Sequence, residues 1–304
     1  MRQALAAQPA RPDELGSAFR LIFQYLRTEE REGRVENALR LIRQGELNAR
    51  GVWVVRSEQA LLGAMVCMLV PGASGLVWPP QAASPGGRND IEDQLLQSAL
   101  EWLRQGGAKL AQALLLQEER DLAAPLVRNG FVRITGLWYL HHHLGFPAEL
   151  LAEGRSLQYQ NYACCDRDAF HETLLRTYDG TQDCPEVNGI RSLSEVIQGH
   201  QAQGIHEPAR WWLARDADRP VGVLLLTEIP EWHGWDISYV GVVPEARRQG
   251  VGRELTRKAL RDAQAAGAAR VTLAVDVRNQ PARSLYQSLG FELFDQREVY
   301  LATW

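Results

Sequence analysis

The 304-residue chain contains an internal repeat, which constrains its fold more than its composition does. The dipeptide Gly-Phe stands at 130–131 and again at 290–291, a separation of 160 residues (290 − 130). The dipeptide Ala-Leu at 99–100 and 259–260 has the same separation (259 − 99), and a Gly-Ala pair follows it in both halves. Two copies of one domain are the economical explanation. We therefore predict two tandem domains of the same fold, with boundaries 1–148 and 149–304.

Each copy has the residue pattern of a mixed α/β domain. The order is a strand, a helical region, two or three strands, a long helix, a strand, a short helix and closing strands. The join is expected between Gly145 and Gly154, where Phe146-Pro147 ends the last strand of the first copy and an alternating segment begins at Leu157. The fold class predicted is α/β with a mixed sheet in each domain.

Composition excludes several kinds of partner. A net charge of −4 and an isoelectric point near 6.0 give no basic surface for a phosphate backbone, so nucleic acid is not expected. No apolar run approaches the ~20 residues that cross a bilayer, and the N-terminus lacks the apolar core of a secretory signal. No membrane partner is expected. The four cysteines show no CxxC spacing, which favours a reduced, cytoplasmic protein.

The second copy contains a glycine-rich helix start. A strand over Tyr239–Val243 ends at Pro244 and is followed by Arg247-Arg248-Gln249-Gly250-Val251-Gly252 and an amphipathic helix. Glycines at this position leave room for an anion, and the first N–H groups of the helix point toward it with the helix dipole behind them. The pattern indicates a pyrophosphate site, to which the two arginine side chains can add charge-assisted hydrogen bonds.

A second strand and helix follow this site. Val271–Val277 alternates as a strand, and the next segment begins at Asn279 and ends in Gly290-Phe291. Pro281 suits the first turn of a helix and Gly290 suits its end. One face of this short helix is apolar and includes Tyr286.

Taken together, these segments resemble the GNAT superfamily of acyl-CoA-dependent N-acetyltransferases. The residues that carry the resemblance are the glycine-rich helix start, Asn279 and the Leu285-Tyr286 pair ahead of Gly290-Phe291. The resemblance covers about residues 210–300 well and reaches the first copy only through the repeat. It implies a fold in which the fourth and fifth strands part to admit the pantetheine arm of the cofactor, acetyl-CoA.

The resemblance also implies roles for individual residues. Main-chain N–H groups around Gly250 would hold the pyrophosphate, the edge of the strand at Val242-Val243 would pair with the pantetheine arm, and Asn279 would bond to that arm. Tyr286 would protonate the departing thiolate, which is the general-acid step that amine attack on a thioester requires. The cofactor-binding residues so implied are Val242, Val243, Arg247, Arg248, Gly250, Val251, Gly252, Asn279 and Tyr286. On the structural alternative, Tyr286 is a core aromatic residue and Asn279 caps a helix.

The general base is assigned to Asp236, on the strand before the glycine-rich segment. Histone acetyltransferases of this superfamily carry their glutamate base at this place, so a shorter aspartate suggests a water relay. Glu228, Glu231 and His233, on the preceding strand and turn, are the alternatives.

Acidic and aromatic residues ahead of the strands indicate an acceptor site for a cationic amine, through charge attraction and cation–π contact. The residues so assigned are Glu228, Glu231, Tyr178, Asp183 and Trp212. The structural alternative is that these residues form a solvated turn beside tryptophans of the core and bind no acceptor. Cys184 has no base identifiable beside it, so we expect direct transfer in a ternary complex rather than an acyl-enzyme.

The first copy lacks the residues that carry the resemblance. At the 160-residue separation, Asp90 stands opposite Gly250, Glu119 opposite Asn279 and Leu126 opposite Tyr286. Carboxylates at 90, 92 and 93 would cap the helix and repel phosphate. Residues 1–148 are therefore predicted to be a degenerate, non-catalytic domain that supports the active one and helps to wall its acceptor cleft.

The histidines at 141–143 do not indicate a metal site, because neighbours in a strand point to opposite faces. No metal is expected. The function predicted is transfer of an acetyl group from acetyl-CoA to a primary amine of a small molecule or peptide. A non-catalytic acyl-CoA sensor or interaction module is the alternative, and the motifs do not set the length of the acyl chain.

Overall fold

The computed structural model of the protein describes residues 6–58, 60–145 and 154–304. The elements of the first half follow the order that the sequence pattern predicts, except that four strands, the last of them only two residues long, precede the long helix and a single strand closes the copy. In chain order its elements are β1 (Ala7–Pro9), α1 (Leu15–Ile22), α2 (Thr28–Gln44), β2 (Val52–Arg56), β3 (Leu61–Val70), β4 (Ser74–Val77), β5 (Gln81–Ala82), α3 (Arg88–Gln105), β6 (Leu110–Leu115), α4 (Ala124–Arg128) and β7 (Val132–His143).

Within the described residues, the second half follows the same order of elements without a counterpart of β5. They are β8 (Gln158–Asn161), α5 (Arg167–Thr177), α6 (Leu193–Gln201), β9 (Trp211–Asp216), β10 (Arg219–Ile229), β11 (Gly234–Val242), α7 (Val251–Ala265), β12 (Arg270–Asp276), α8 (Gln280–Ser288) and β13 (Glu292–Thr303). Pro281 lies in the first turn of α8 and Gly290 follows its end with φ +85°, as their residue types predict.

The chain forms two compact units, which no single cut in the sequence separates. Within the described residues, the first unit takes in the chain up to Ile134 and also Glu298–Trp304, and the second takes in Thr135–Arg297. The predicted boundary between 148 and 149 falls in 146–153, outside the described residues, and the domain assignment stays a prediction.

The sheet of the first unit has the strand order β1-β2-β3-β4-β6-β13. All neighbours are antiparallel except β4 and β6, which run parallel over three pairs from Ser74–Leu110 to Leu76–Gln112. β5 pairs with β3 beside this row.

The sheet of the second unit has the strand order β8-β9-β10-β11-β12-β7. Here β11 and β12 are the parallel neighbours, again over three pairs, from Gly234–Arg270 to Asp236–Thr272, and the other pairs are antiparallel. Each of these paired positions lies 160 residues beyond its counterpart in the first unit (234 − 74 and 270 − 110). The two units therefore have one topology, which confirms the predicted tandem α/β fold.

The two halves of the chain exchange their last strands. β7, the last strand of the first half, pairs with β12 from Leu137–Asp276 to His143–Arg270. β13, the last strand of the second half, pairs with β6 from Glu298–Leu115 to Thr303–Leu110. Each unit is thus completed by a strand from the other half of the sequence.

Helices cover both faces of the second unit's sheet. On the α7–α8 face, Val251, Leu255 and Ala259 recur along one side of α7 and are 1% exposed or less, packed with β10, β11 and β12. On the α5–α6 face, Phe170 and Trp211 are fully buried. Burial of a side chain as large as Leu255 contributes ~1.5–3 kcal/mol, so both layers hold the sheet in place.

The start of the long helix differs from the sequence prediction in the first unit. Gly87 is the N-cap of α3 with φ +70°, and Gly250 is the N-cap of α7 with φ +84°. The separation here is 163 (250 − 87), because α3 begins three residues earlier than the repeat predicts. The expectation that carboxylates cap this helix was wrong: Gly87 provides no side-chain cap, and buried Glu92 pairs instead with Arg88 and Arg128 at 2.7 and 3.1 Å.

Among the helices of the described ranges, none combines the length and the apolar character that crossing a membrane requires.

Candidate active site

Strands β11 and β12 separate partway along the second unit's sheet. Their pairing ends at Asp236–Thr272 within the described chain, although β11 continues to Val242 and β12 to Asp276. Past that point the edge of β11 that faces β12 offers main-chain groups to a ligand instead of to a strand. This is the opening that the sequence predicts, and Asp236 lies where it begins.

A bulge in β11 coincides with this opening. Leu225 of β10 pairs with Tyr239 and Leu226 pairs with Ile237, so Ser238 is an extra residue between them. A bulge increases the local twist and ends regular pairing. It also resets the alternation, which places both Asp236 and Tyr239 on the α5–α6 face while Trp235 and Ile237 pack on the α7–α8 face.

The glycine-rich segment forms a concave main chain at the start of α7. Arg248 and Gly250 have φ of +62° and +84°, and a backbone that enters the left-handed region in this way points successive N–H groups inward. No atom lies within 4 Å of the position that a Cβ at Gly250 would take. The first N–H groups of α7 have no partner inside the helix, so the segment fits an anion such as pyrophosphate.

Arg247 is committed to the main chain. Its guanidinium donates to the carbonyl oxygens of Val242 at 3.0 Å, Thr177 at 3.1 Å and Gly180 at 3.3 Å. The side chain therefore ties β11 and the end of α5 to the glycine-rich segment, whereas Arg248 is exposed beside it.

Asn279 and Tyr286 lie on α8, which begins directly after β12. Asn279 is the N-cap, its side-chain oxygen accepting from the N–H of Ala282 at 3.3 Å, and it also forms a hydrogen bond with Asp183. Tyr286 is 6% exposed, and its ring centroid is 5.7 Å from that of Phe291. Burial raises the pKa of Tyr286, and the negative charge of Asp183 raises it further, so the phenol stays protonated.

The carboxyl of Asp236 has a pKa well above that of an ordinary aspartate. Burial raises the pKa of this carboxyl to about 6, while a hydrogen bond from the Thr272 hydroxyl at 2.6 Å acts in the opposite direction. A carboxyl that titrates close to neutral pH can accept a proton from an ammonium group and return it to water.

Comparison with known proteins agrees with this geometry. The sequence model described as the acetyltransferase (GNAT) family matches residues 174–291. A mycothiol acetyltransferase of Pseudarthrobacter chlorophenolicus is 28% identical over 80% of this chain and 74% of its own. A mycothiol acetyltransferase of Segniliparus rotundus is 30% identical over 62% of this chain and 73% of its own.

The chain belongs to the GNAT family of N-acetyltransferases.

The GNAT fold extends beyond the segment that the family model matches. The crystal structure of a GCN5-related N-acetyltransferase from Sphaerobacter thermophilus covers 98% of this chain and 95% of its own, with a TM-score of 0.64 at 17% identity. The likeness in fold therefore includes the first unit, as the repeat predicts.

The loop that contains Asp183 and Cys184 is fixed to the end of β12. The N–H of Cys184 donates to Asp276 at 3.0 Å, and the N–H of Asp276 donates to Asp183 at 3.3 Å. Burial and the neighbouring charge of Asp276 raise the pKa of Asp183 to about 6. Asp183 thus lies beside Asn279, with its charge acting on Tyr286.

Asp276 anchors this loop from a fully buried position. Burial alone would raise its pKa, but hydrogen bonds from Arg278 and Thr135 outweigh that effect and hold the pKa at about 2. The ligand atoms of Asp183, Cys184 and Asp276 lie within 4.8 Å of one another, yet Arg278 already supplies the positive charge there, with Nη2 at 2.7 Å from Asp276. Burial raises the pKa of the Cys184 thiol, which keeps it protonated and poorly nucleophilic.

Not all of the residues that the sequence analysis assigned to the acceptor site lie on the α5–α6 face, where Asp236 lies. Glu228 pairs across the sheet with Trp235 on the α7–α8 face and forms an ion pair with Arg210 at 2.6 Å. Trp212 also packs on that face, 3.8 Å below the ammonium of Lys258. Exposed Glu231 and His233 lie on the turn before β11.

Tyr178 does lie on the α5–α6 face, where its ring centroid is 5.4 Å from that of Tyr239. Burial raises the pKa of Tyr178 to about 12. Of the assigned acceptor residues, Tyr178 and Asp183 therefore share the face of Asp236.

Sequence reasoning missed Thr272 and Asp276. Thr272 is bonded to Asp236 only because the two are register partners in the parallel pair, and Asp276 matters through a loop 92 positions earlier. Placing the two predicted parallel strands in register would have identified Thr272 as the partner of Asp236. No local sequence pattern marks Asp276.

Proposed function

We propose that the second unit transfers an acetyl group from acetyl-CoA to the primary amine of a small molecule, by direct attack in a ternary complex. One observation carries the proposal: β11 and β12 part immediately beyond Asp236, and the opening leads to the concave main chain at Gly250. A thioester arm fits the first feature and a pyrophosphate fits the second. Relatives named mycothiol acetyltransferase support a small-molecule acceptor.

The residues of this chain divide the proton transfers between them. Bound acetyl-CoA would supply the acyl carbon in a thioester. Asp236 takes a proton from the acceptor ammonium and leaves a neutral, nucleophilic amine. As the nitrogen–carbon bond forms and the carbon–sulfur bond breaks, Tyr286 donates its proton to the leaving sulfur. The second proton that the nitrogen loses restores Tyr286, so the products are an amide, a free thiol and one proton.

Main-chain groups hold the cosubstrate in this proposal. The N–H groups of Gly250, Val251 and Gly252 and the side chain of Arg248 bind the phosphates, and the edge of β11 beyond Asp236 pairs with the arm. Val243 follows the end of β11 and its N–H donates to the Val221 carbonyl at 3.1 Å, so that group is not available to the arm. Arg247 shapes this site through its three main-chain hydrogen bonds. Asn279 serves both as the cap of α8 and as a contact for the arm.

The first unit serves as an internal control. In the same parallel register, Leu76 stands where the second unit has Asp236, and Gln112 stands where it has Thr272. Leu126, fully buried, stands in place of Tyr286. We propose that the first unit is non-catalytic because it has neither the base nor the acid.

The test measures the release of free thiol from acetyl-CoA with a panel of small primary amines and of peptides that have a free N-terminal amine. The Tyr286→Phe variant is the control. The proposal predicts amine-dependent release by the wild type and its loss in the variant. Tight acetyl-CoA binding without release for any acceptor would instead favour the acyl-CoA sensor.

A further inference from the structure

The exchanged strand β7 carries an aromatic side chain, Tyr139, beside β12 at the level where β11 and β12 have separated. Leu140 is buried on the α7–α8 face and Trp138 packs there as well. Alternation along the strand then directs Tyr139 to the α5–α6 face, the face of Asp236 and the acceptor loop. The first half of the sequence therefore contributes a side chain to the region that the second half builds.

The register sets the level at which Tyr139 lies. Tyr139 pairs directly with Ala274, two residues beyond the last β11–β12 pair at Thr272. Leu273 and Val275 are buried on the other face, whereas Ala274 is exposed although its strand lies inside the sheet. Because β11 no longer pairs with β12 here, the Ala274 side chain is an exposed, open floor of the sheet surface. The Tyr139 ring borders it on the β7 side, and the opening borders it on the β11 side.

Charged groups surround the ring on this face. Burial raises the pKa of Tyr139, the nearby Arg297 opposes that rise, and the charges of Asp295 and Asp236 add to it. Arg297 is itself neutralised by Asp295 at 2.7 Å. Asp236 and Tyr139 pair with Thr272 and Ala274, which lie two residues apart along β12 on the same face, and the charge of Asp236 acts on the ring.

An apolar surface continues outward from Tyr139. The ring centroid of Phe294 is 6.3 Å from that of Tyr139, and the Phe294 side chain is 47% exposed. An acceptor whose amine lies over Ala274 would place its remaining atoms along these two rings.

The first unit again provides the comparison. In the matching pair, Val299 stands where the second unit has Tyr139, and half-buried Leu114 stands where it has Ala274. With Leu76 at the position of Asp236, aliphatic side chains occupy all three places. The open floor, the aromatic wall and the acid occur together in the second unit.

We propose that Tyr139 is a specificity-determining residue, whose ring forms a wall of the acceptor pocket and contacts an ammonium group directed at Asp236. The inference rests on the proposed function and deepens it: the acceptor is a cationic primary amine with an apolar or flat group next to it. The ring stabilises the ammonium by cation–π contact.

Steady-state kinetics of Tyr139→Leu and Tyr139→Phe test this role, with acetyl-CoA saturating and the amine varied. Tyr139→Leu is expected to raise KM for the amine on the order of tenfold, the range of a partly desolvated cation–π contact. Tyr139→Phe keeps the ring and is expected to restore the wild-type KM. The Kd for acetyl-CoA stays unchanged in both. Tyr159→Leu, a strand aromatic on the α7–α8 face, is the control and leaves KM unchanged.

A competition experiment on the wild type gives a second readout that needs no variant. A trimethylammonium analogue of the best amine is expected to inhibit at least ~10 times better than its neutral tert-butyl isostere. Equal inhibition by the two, or an unchanged amine KM in Tyr139→Leu, would overturn the role of Tyr139 while leaving the acetyltransferase activity intact. No thiol release by the wild type with any amine would remove the proposed function and this inference together.

Discussion

Replacement of Thr272 by valine tests whether Asp236 is the base. The Thr272 hydroxyl donates to Asp236 at 2.6 Å, a short, charge-assisted hydrogen bond that favours the ionised carboxylate. Its removal disfavours the charged form, so the pKa of Asp236 rises above the wild-type value of about 6. A hydrogen bond to a charged group contributes ~1.5–3 kcal/mol, which corresponds to a displacement of ~1–2 pH units.

The assay is the pH dependence of kcat/KM for the amine. The wild type should lose activity as the pH falls through about 6, because Asp236 becomes protonated. In Thr272→Val the midpoint of this limb should move upward by ~1–2 pH units, and activity should recover at alkaline pH. Protonation of the amine itself contributes equally to both enzymes and cancels in the comparison.

Thr227→Val is the matched control. Thr227 is a buried neighbour of Asp236 on β10, but its hydroxyl donates to Ser238 at 3.4 Å rather than to the carboxylate. Its profile should coincide with that of the wild type. An unchanged midpoint in Thr272→Val, or equal displacement in both variants, would refute the assignment of Asp236.

Three further predictions concern other parts of the site. Tyr286→Phe should lower kcat ~100-fold or more with little change in the Kd for acetyl-CoA, in rapid-quench and binding assays; an unchanged kcat removes Tyr286 as the acid. Arg247→Ala should lower the melting temperature, since it deletes three main-chain hydrogen bonds of ~1 kcal/mol each, whereas Arg248→Ala should weaken acetyl-CoA binding alone; reversed effects would contradict this division. Asp276→Asn should destabilise the second unit by ~2 kcal/mol at pH 7 in urea unfolding, because the pKa of Asp276 is about 2 against a model-peptide value of 3.8. The lowered pKa means that this stability is present above pH 3.8 and lost as the pH falls through about 2, and a difference that persisted at pH 2 would exclude the ionic origin.

Local features of the fold and the site could be predicted from the sequence. Helix ends depend on the backbone preference of a single residue, so residue type is sufficient to predict them. This holds for the glycine that begins α7, for the asparagine and proline that begin α8, and for Gly290, which follows its end. The repeat predicted that the two units share one topology, because each copy has the same order of local patterns.

Features that depend on partners far apart in the sequence could not be predicted. β7 and β13 end the two copies with similar alternating patterns, so either strand can complete either sheet, and no local signal chooses β12 as the partner of β7. The predicted boundaries for this reason place Tyr139 in the segment 1–148. The bonds from Thr272 to Asp236 and from Cys184 to Asp276 likewise depend on register and loop position. The predicted start of α3 was wrong because α3 is three residues longer than α7 at its N-terminal end. The rest of the repeat keeps its separation of 160 residues, so the sequence gives no sign of this difference.

Matched substitutions at the two helix starts test most directly whether the chemistry lies in the second unit. Gly250 and Gly87 have the same role in the fold, with φ of +84° and +70° and open space where a side chain would point, so valine strains both backbones to a similar degree. Gly250→Val should weaken acetyl-CoA binding and reduce amine-dependent thiol release at least tenfold at subsaturating acetyl-CoA, and Gly87→Val should leave turnover at the wild-type level. Equal loss of turnover in both variants, or loss in Gly87→Val alone, would contradict the placement of the active site.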